Sequence, residues 1–376
     1  MQLAAAGVST TLLECADSQL RALAEACTFP PAEVDRTALL LRDLAESWGG
    51  RSLHDVPRWS GVTDDCSPLE FSLGLTPDPT PELRFVLEAQ QDPATPQTYW
   101  TAAQRLNLRL ERDYGACLAR LRTIADLIEP TEHVFYAMLH GVVIRPGRTP
   151  LFKVYLNPKA HGAQHARTLT AQVFTRLGLA AAWNAIASGL RPDDELQIIA
   201  LDLTAENNAR VKLYVRHQHD FIADFERAAS IATDNIGSDI RTFVAELFPA
   251  GESWASRPAT TMYIATLEDT RIDASFCLAT YPFLGNDAVA LERITSLLRR
   301  FGLSTGAYTR AVRALAPGES SAQRGLHNYV SFQNRDGARR VTVYLTPRMY
   351  LHRLGPIGFD PLVAWPTPTG RLAAQS

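Results

Sequence analysis

Arg210-Val211-Lys212-Leu213-Tyr214-Val215-Arg216 reads as one β-strand with two opposed faces. Alternate side chains of a strand point to opposite sides of its sheet. Val211, Leu213 and Val215 therefore share one face, and Arg210, Lys212, Tyr214 and Arg216 share the other. In an ordinary antiparallel sheet the apolar face covers a core and the polar face meets water. Here long stretches of helical periodicity flank the strand, and they need an apolar partner. The helices belong on the Val-Leu-Val face, which turns the cations inward, toward a lumen.

The pattern recurs along the chain. Five hairpins pair residues 69–74 with 82–89, 133–143 with 151–157, 196–203 with 210–216, 261–267 with 274–281, and 328–333 with 340–346. They begin roughly every 65 residues, a self-similarity that speaks of repeated units. In the second hairpin Lys153, Tyr155 and Asn157 oppose Val154 and Leu156, and the second strands also carry Arg84, Arg340 and Tyr344. The intervals hold helical pattern over 9–27, 32–48, 98–128, 163–190, 218–248 and 287–301, with a shorter stretch at 308–314. Breakers such as Gly49-Gly50, Pro130 and Pro249-Ala250-Gly251 separate them. The expected fold is α+β: a ten-stranded antiparallel barrel, which has no free edges, inside a ring of helices. A β-propeller fits worse, because its four-stranded blades leave no room for long helices. One domain is expected over 1–365, with a loose tail at 366–376.

Composition narrows the function. A hydrophobic fraction of 46% with 20% charge suits a soluble globular enzyme. The net charge of −3 gives no general attraction to nucleic acid or anionic membranes, so any anion site is local. No run of about 18 apolar residues exists to span a bilayer. Met1 to Val8 lacks a basic region followed by an apolar core, so a cytoplasmic protein is expected. The five cysteines, Cys15, Cys27, Cys66, Cys117 and Cys277, are scattered without metal-site spacing and read as reduced thiols.

Lys, Arg and Tyr converging from several strands describe a pocket for a compact polyanion beside an aromatic space. Arg forks match phosphate oxygens bidentately and Lys adds a point charge, so a diphosphate is the natural ligand. Neither a Walker-type loop nor a Gly-rich dinucleotide fingerprint is present. Asp64-Asp65 and Asp193-Asp194-Glu195 lack the spacing of a magnesium–diphosphate site and read as caps or turns. The cations would then neutralise the diphosphate without a metal. Glu70 points inward from the first strand, with Leu69 and Phe71 opposed to it. A carboxylate in a lumen is costly unless paired or used, here to bind an N–H or take a proton. Tyr155, Tyr214, Tyr281 and Tyr344 share inward parity and would stabilise a carbocation through their ring faces. His217-Gln218-His219 reads as solvated strand-end histidines rather than a metal site, and no GxSxG elbow supports a hydrolase.

The strings Ser67-Pro68-Leu69-Glu70-Phe71-Ser72, Leu83-Arg84-Phe85, Lys153-Val154-Tyr155, Arg210 to Val215, and Tyr329-Val330-Ser331-Phe332 resemble the aromatic prenyltransferases of the dimethylallyltryptophan synthase type. The resemblance spans about residues 60 to 350, and the short chain suits the bacterial members. It implies an αββα-repeat barrel that moves a prenyl group from dimethylallyl diphosphate to an indole, with no required metal or cofactor. The implied partners are these small molecules, with no nucleic acid or membrane, in a monomer or weak homodimer. Residue by residue, Arg84, Lys153, Arg210, Lys212 and Arg340 resemble diphosphate ligands. Tyr155, Tyr214, Tyr281 and Tyr344 resemble the tyrosine shield, Glu70 the indole N–H acceptor, and Leu69, Gln197 and Tyr329 the acceptor pocket. Departures accompany the match. The fourth hairpin lacks the usual Lys or Gln, Arg340 stands where fungal members often have Tyr, and Gln197 stands where tryptophan-using fungal members have an Arg. The acceptor is expected to be tryptophan or a tryptophan-derived compound. A phenolic acceptor, or a non-enzymatic barrel for a phosphorylated ligand, remains open on the residues alone.

Overall fold

The computed structural model describes residues 10–218, 222–232, 237–248, 259–281, 283–316 and 324–350. The expected tail at 366–376 and His219 lie outside the described residues. The chain starts with helices α1 (Leu12–Ala26) and α2 (Pro31–Leu44), followed by the hairpin β1 (Leu69–Leu75) and β2 (Glu82–Glu88). Then α3 (Pro96–Tyr114) and α4 (Ala119–Ile128) lead to β3 (Met138–Ile144) and β4 (Leu151–Leu156). The third unit is α5 (Ala166–Arg176), α6 (Ala180–Gly189), β5 (Glu195–Asp202) and β6 (Val211–Arg216). The fourth is α7 (Ile222–Ile231), α8 (Gly237–Leu247), β7 (Thr260–Ala265) and β8 (Asp273–Ala279). The last is α9 (Asp287–Arg300), α10 (Gly306–Leu315), β9 (His327–Arg335) and β10 (Ala338–Leu345).

Each strand pairs antiparallel with its sequence neighbours, and β1 closes the sheet against β10, so the barrel has no edge. The helical stretches expected over 98–128 and 163–190 are each two helices. Gly115 (φ +70°) and Gly178 (φ +75°) take the left-handed conformation that ends a helix and that L-side chains resist. The third strand begins at Met138 rather than 133 because the preceding residues are tied elsewhere. Trp59 Nε1 donates to the Phe135 carbonyl (2.9 Å), and the Tyr136 hydroxyl donates to the Leu156 and Gln197 carbonyls (3.1 and 2.9 Å).

The outward faces build the core. Leu69, Phe71 and Leu73 on β1, Val211, Leu213 and Val215 on β6, and Val341, Val343 and Leu345 on β10 are all buried in one apolar layer with the helices. Two histidines in that layer find polar partners, as burial favours. His140 on β3 meets Asn107 Oδ1 of α3 at 2.9 Å, and burial pushes its pKa down to about 3, so the ring is neutral. His217 corrects the expectation of a solvated histidine. It is buried, with Nδ1 at 2.8 Å from Asp194 Oδ1 and Nε2 at 2.8 Å from the Thr261 hydroxyl, because Asp194 and Arg227 of α7 close over the end of β6.

Phe332 on β9 shows how tightly the layer is filled. Its ring lies 5.7 Å from that of Phe243 on α8 and 4.7 Å from that of Phe301 at the end of α9. Phe332→Ala removes a fully buried ring that tertiary packing cannot replace, and is expected to cost about 3–5 kcal/mol. Urea unfolding followed by circular dichroism measures it. A loss below about 1 kcal/mol would mean that the helix layer does not rest on this face.

Candidate active site

The inner face of the barrel is polar, and the strand register decides which residues meet. Lys153 pairs across from Asp202 and Gly141, Arg84 from Ser72 and Val143, and Lys212 from Ala200 and Ile264. Following the register around the staggered sheet places the inward side chains in tiers. Glu82, Arg210, Asp273 and Arg340 lie nearest one mouth, with Arg84, Lys153 and Lys212 below them. Next come Tyr155, Tyr214 and Tyr344, then Glu70, Ile198 and Tyr329, and finally Glu88, Asn157 and Arg216.

That mouth opens as a cavity of about 550 Å³ and narrows to about 50 Å³ where the cations and tyrosines meet. Arg84, Lys153, Arg210, Lys212, Arg340, Tyr155, Tyr214 and Tyr344 all line this narrow space. Two carboxylates are interleaved with the cations. Glu82, one inward position from Arg84 on β2, forms ion pairs with Arg84, Arg145 and Arg340. Asp202 receives Lys153 Nζ at 3.2 Å and Arg210 Nε at 2.7 Å. Burial opposes Asp202 ionisation, but Lys153 and Arg210 together outweigh it and hold the carboxyl well below its ordinary range. Burial also pushes Lys153 down to about 7, assisted by the like charge of Arg210. The same two influences, with Lys153 added, place Lys212 well below the ordinary lysine range. Two lysines destabilised as cations in one cleft are prepared for an incoming anion.

The tyrosine tier is packed edge to face. The Tyr155 and Tyr214 rings are 6.3 Å apart, as are those of Tyr344 and Tyr329. Burial raises the Tyr155 hydroxyl to about 12 and Tyr214 and Tyr344 well above their ordinary values, so all three are neutral phenols. Gly141 makes room for this tier, since a Cβ there would lie 2.8 Å from the Tyr155 ring.

Glu70 extends from β1 into the tier beneath and is 9% exposed. Asn328 Nδ2 donates to its Oε1 at 2.6 Å. The register of β9 and β10 slips between Tyr344 and Leu345, and a bulge of this kind re-aims a side chain. It brings Asn328 to Glu70. Lower still, Glu88 is fully buried, and its Oε2 accepts from the Ser60 hydroxyl (2.8 Å) and the Gly61 amide (2.9 Å). Its Oε1 has no hydrogen-bond partner among the described residues. Burial raises Glu88 to about 8, against the lowering effect of those two donors.

Two sequence-based expectations, Tyr281 and Leu69, are corrected in position. Tyr281 is outside β8, which ends at Ala279, and lines a shallow pocket with Asp287 and His327 instead of joining the other tyrosines. The turn after Ala279, tied by the Thr280 amide to the Asn328 carbonyl at 2.9 Å, ends the alternation on which its parity rested. The Leu69 side chain is buried in the outer apolar layer, facing away from the lumen as strand alternation requires. Gln197 sits at the register shift in β5, with its carbonyl held by Tyr136. Tyr329 faces inward as expected. Sequence reasoning missed Glu82, Asp202, Asn328 and Glu88. Parity alone marked Glu82 and Glu88 as inward, in line with Arg84, whereas Asp202 and Asn328 depend on pairing and a bulge. Among the described residues no three His, Cys, Asp or Glu side chains are grouped to hold a metal ion.

A closed antiparallel barrel with a cation tier, a phenol tier and a carboxylate beneath defines an aromatic prenyltransferase site. A sequence model of tryptophan dimethylallyltransferase matches residues 14–314. The structure of 6-dimethylallyltryptophan synthase from Micromonospora olivasterospora in complex with DMASPP and Trp is similar, with a TM-score of 0.85 and 31% identity over 91% of this chain and 99% of that one. Prenyltransferase PriB, in a ternary complex with L-tryptophan and dimethylallyl thiolodiphosphate, matches at 0.81 and 28% identity, covering 90% and 97%. The 5-dimethylallyltryptophan synthase from Streptomyces coelicolor shares the fold at 0.85, with 24% identity over 91% and 99%. The chain belongs to the tryptophan dimethylallyltransferase family and is an indole prenyltransferase.

The buried Glu88 makes stability depend on pH. The unfolded chain releases this proton near 4.5, whereas the folded chain keeps it up to about 8. Its contribution is therefore complete below pH 4.5 and is lost as pH rises through 8, by up to about 1.4 kcal/mol per pH unit. Glu88→Gln keeps an acceptor for Ser60 and Gly61 without an ionisable group. Urea midpoints between pH 5 and 8 are expected to fall more steeply for the wild type than for this variant. Parallel profiles would show that Glu88 is not buried as a neutral acid.

Proposed function

We propose that the enzyme transfers a dimethylallyl group from dimethylallyl diphosphate to the indole ring of tryptophan or a tryptophan-derived compound, without an essential metal. The observation that carries the reading is the order of the tiers: cations, then phenols, then Glu70. In it, Arg84, Lys153, Arg210, Lys212 and Arg340 bind the diphosphate, turning from Glu82 and Asp202 toward its oxygens. The C1–O bond of the donor breaks, and its electron pair leaves with the diphosphate. Positive charge develops on the allyl group against the faces of Tyr155, Tyr214 and Tyr344, which attract a cation and exclude water. Glu70, aligned by Asn328, accepts the indole N–H and raises the electron density of the ring. A ring carbon then forms the new C–C bond and loses its proton to a base. Positioning and fixed charges carry the rate.

Ligands in similar structures support this division. One synthase was solved with DMASPP and Trp, and PriB with L-tryptophan and dimethylallyl thiolodiphosphate, so each pairs a donor analogue with an indole amino acid. The same reading is of a cytoplasmic enzyme, monomeric or weakly dimeric, acting on soluble small molecules. Among the described residues no helix is long and apolar enough to cross a membrane.

Incubation with dimethylallyl diphosphate and L-tryptophan in EDTA, analysed by mass spectrometry, is expected to give a mono-prenylated indole. Glu70→Gln is expected to lower kcat by roughly 10²- to 10⁴-fold. Absence of product from tryptophan and from every tryptophan-derived indole tried would overturn the proposal.

The depressed Lys153 supplies a pH signature. With its free-enzyme pKa at about 7, binding a polyanion makes it take up a proton at higher pH. Affinity for the diphosphate is thus complete below pH 7 and weakens above it, by at most about tenfold per pH unit. Calorimetry with inorganic diphosphate from pH 6 to 9 is expected to show that slope reduced in Lys153→Arg, which stays charged. Equal slopes in both proteins would assign the titration to the ligand alone.

A further inference from the structure

A diphosphate must leave the barrel after it has reacted, and it leaves with more charge than it brought. Breaking the donor's C1–O bond puts the electron pair on the diphosphate. As product it therefore carries one more negative charge than it did as part of the donor. A narrow space lined by Arg84, Lys153, Arg210, Lys212 and Arg340 holds such a product more tightly than the substrate. Prompt release calls for an anion that competes for the same cations.

Glu82 has the geometry of that competitor. It is the first residue of β2 and is 6% exposed. Its Oε2 accepts from Arg84 Nε at 3.0 Å and forms an ion pair with Arg340. One carboxylate oxygen thus lies between arginines of two strands, as a phosphate oxygen would. Its Oε1 pairs with Arg145, which stands just past β3 on the wall of the wide mouth. Gly74 of β1, opposite Glu82 in the ladder, leaves the space in which these groups meet. A Cβ there would lie 2.7 Å from Arg340 Nη2 and 3.1 Å from Glu82 Oε2. The buried Nε of Arg340 has no hydrogen-bond partner among the described residues, so this guanidinium keeps an unused donor. Asp202, by contrast, pairs with Lys153 and Arg210, which both line the narrow space. We propose that Glu82 is an internal competitor for the arginines of the diphosphate site. It gives up Arg84 and Arg340 when the donor binds and reclaims them as the product leaves. Its hold on Arg145 ties that exchange to the rim of the mouth. Glu82 is then a positioning residue that weakens diphosphate binding and speeds release. This inference rests on the diphosphate reading above.

Calorimetry with inorganic diphosphate on the whole chain tests the sign of the effect. Glu82→Gln keeps the shape of the side chain and removes the competing charge. It is expected to lower the Kd for diphosphate about tenfold, the worth of a charge-assisted pair. Inorganic diphosphate should then inhibit prenylation of tryptophan more strongly by a similar factor. The KM of tryptophan should stay within about twofold, because Glu70 stands in a lower tier. Glu82→Asp keeps the charge but draws it back from Arg340 by one methylene, and is expected to tighten diphosphate about threefold. A carboxylate that only held the arginines in place would give the opposite sign, since released guanidinium groups bind less well. Unchanged or weakened diphosphate binding in either variant would overturn the proposal. A wild type that does not bind inorganic diphosphate overturns the site beneath it and this inference with it.

Discussion

A charge cannot leave water without a partner, and the lumen depends on how its cations meet that rule. Lys153, Arg84, Arg210 and Arg340 are held inside a protein wall by two carboxylates, Glu82 and Asp202. The closed sheet makes this arrangement possible. With the strands of the barrel paired along ten ladders, the inner face is free to carry side chains chosen for charge, while the outer face carries the apolar packing. Lys212 and Lys153, shifted toward neutrality by burial and by the like charge of Arg210, store electrostatic cost that an anionic ligand relieves. The cation tier is thus both a strain on the fold and its means of binding.

Geometry separates the chemical tasks along the barrel axis. The cations line the narrow space below the wide mouth, the neutral phenols lie beneath them, and Glu70 with Asn328 lies lower still. A leaving group and a nucleophile handled at different depths do not compete for the same charges. The phenols between them are held neutral by burial, so they offer ring faces and not anions to a developing cation.

Much of this was legible in strand parity. The alternation in 210–216 placed Lys212 and Tyr214 on one face, and five recurrences implied closure. Glu70, Arg84, Lys153 and Tyr344 followed by the same counting. The method failed where a strand ended or slipped. Tyr281 lies past the end of β8, so counting by twos carried it into a lumen it does not enter. Asn328 reaches Glu70 only because β9 bulges. His217, read as solvated, is buried because residues far from it in sequence close over it. Local pattern does not record which distant groups arrive.

By itself the amino-acid sequence determined the periodicity: which residues share a face, how many hairpins recur, and that the cationic face must turn away from the helices. Those properties depend on neighbours two to four positions apart, and short-range backbone geometry enforces them. Only the tertiary structure decided the partners. That Asp202 serves Lys153 and Arg210 and that Glu82 gathers three arginines follow from the closing register of ten strands. That register joins residues hundreds of positions apart, because backbone hydrogen bonding around the ring leaves each strand a single place to lie.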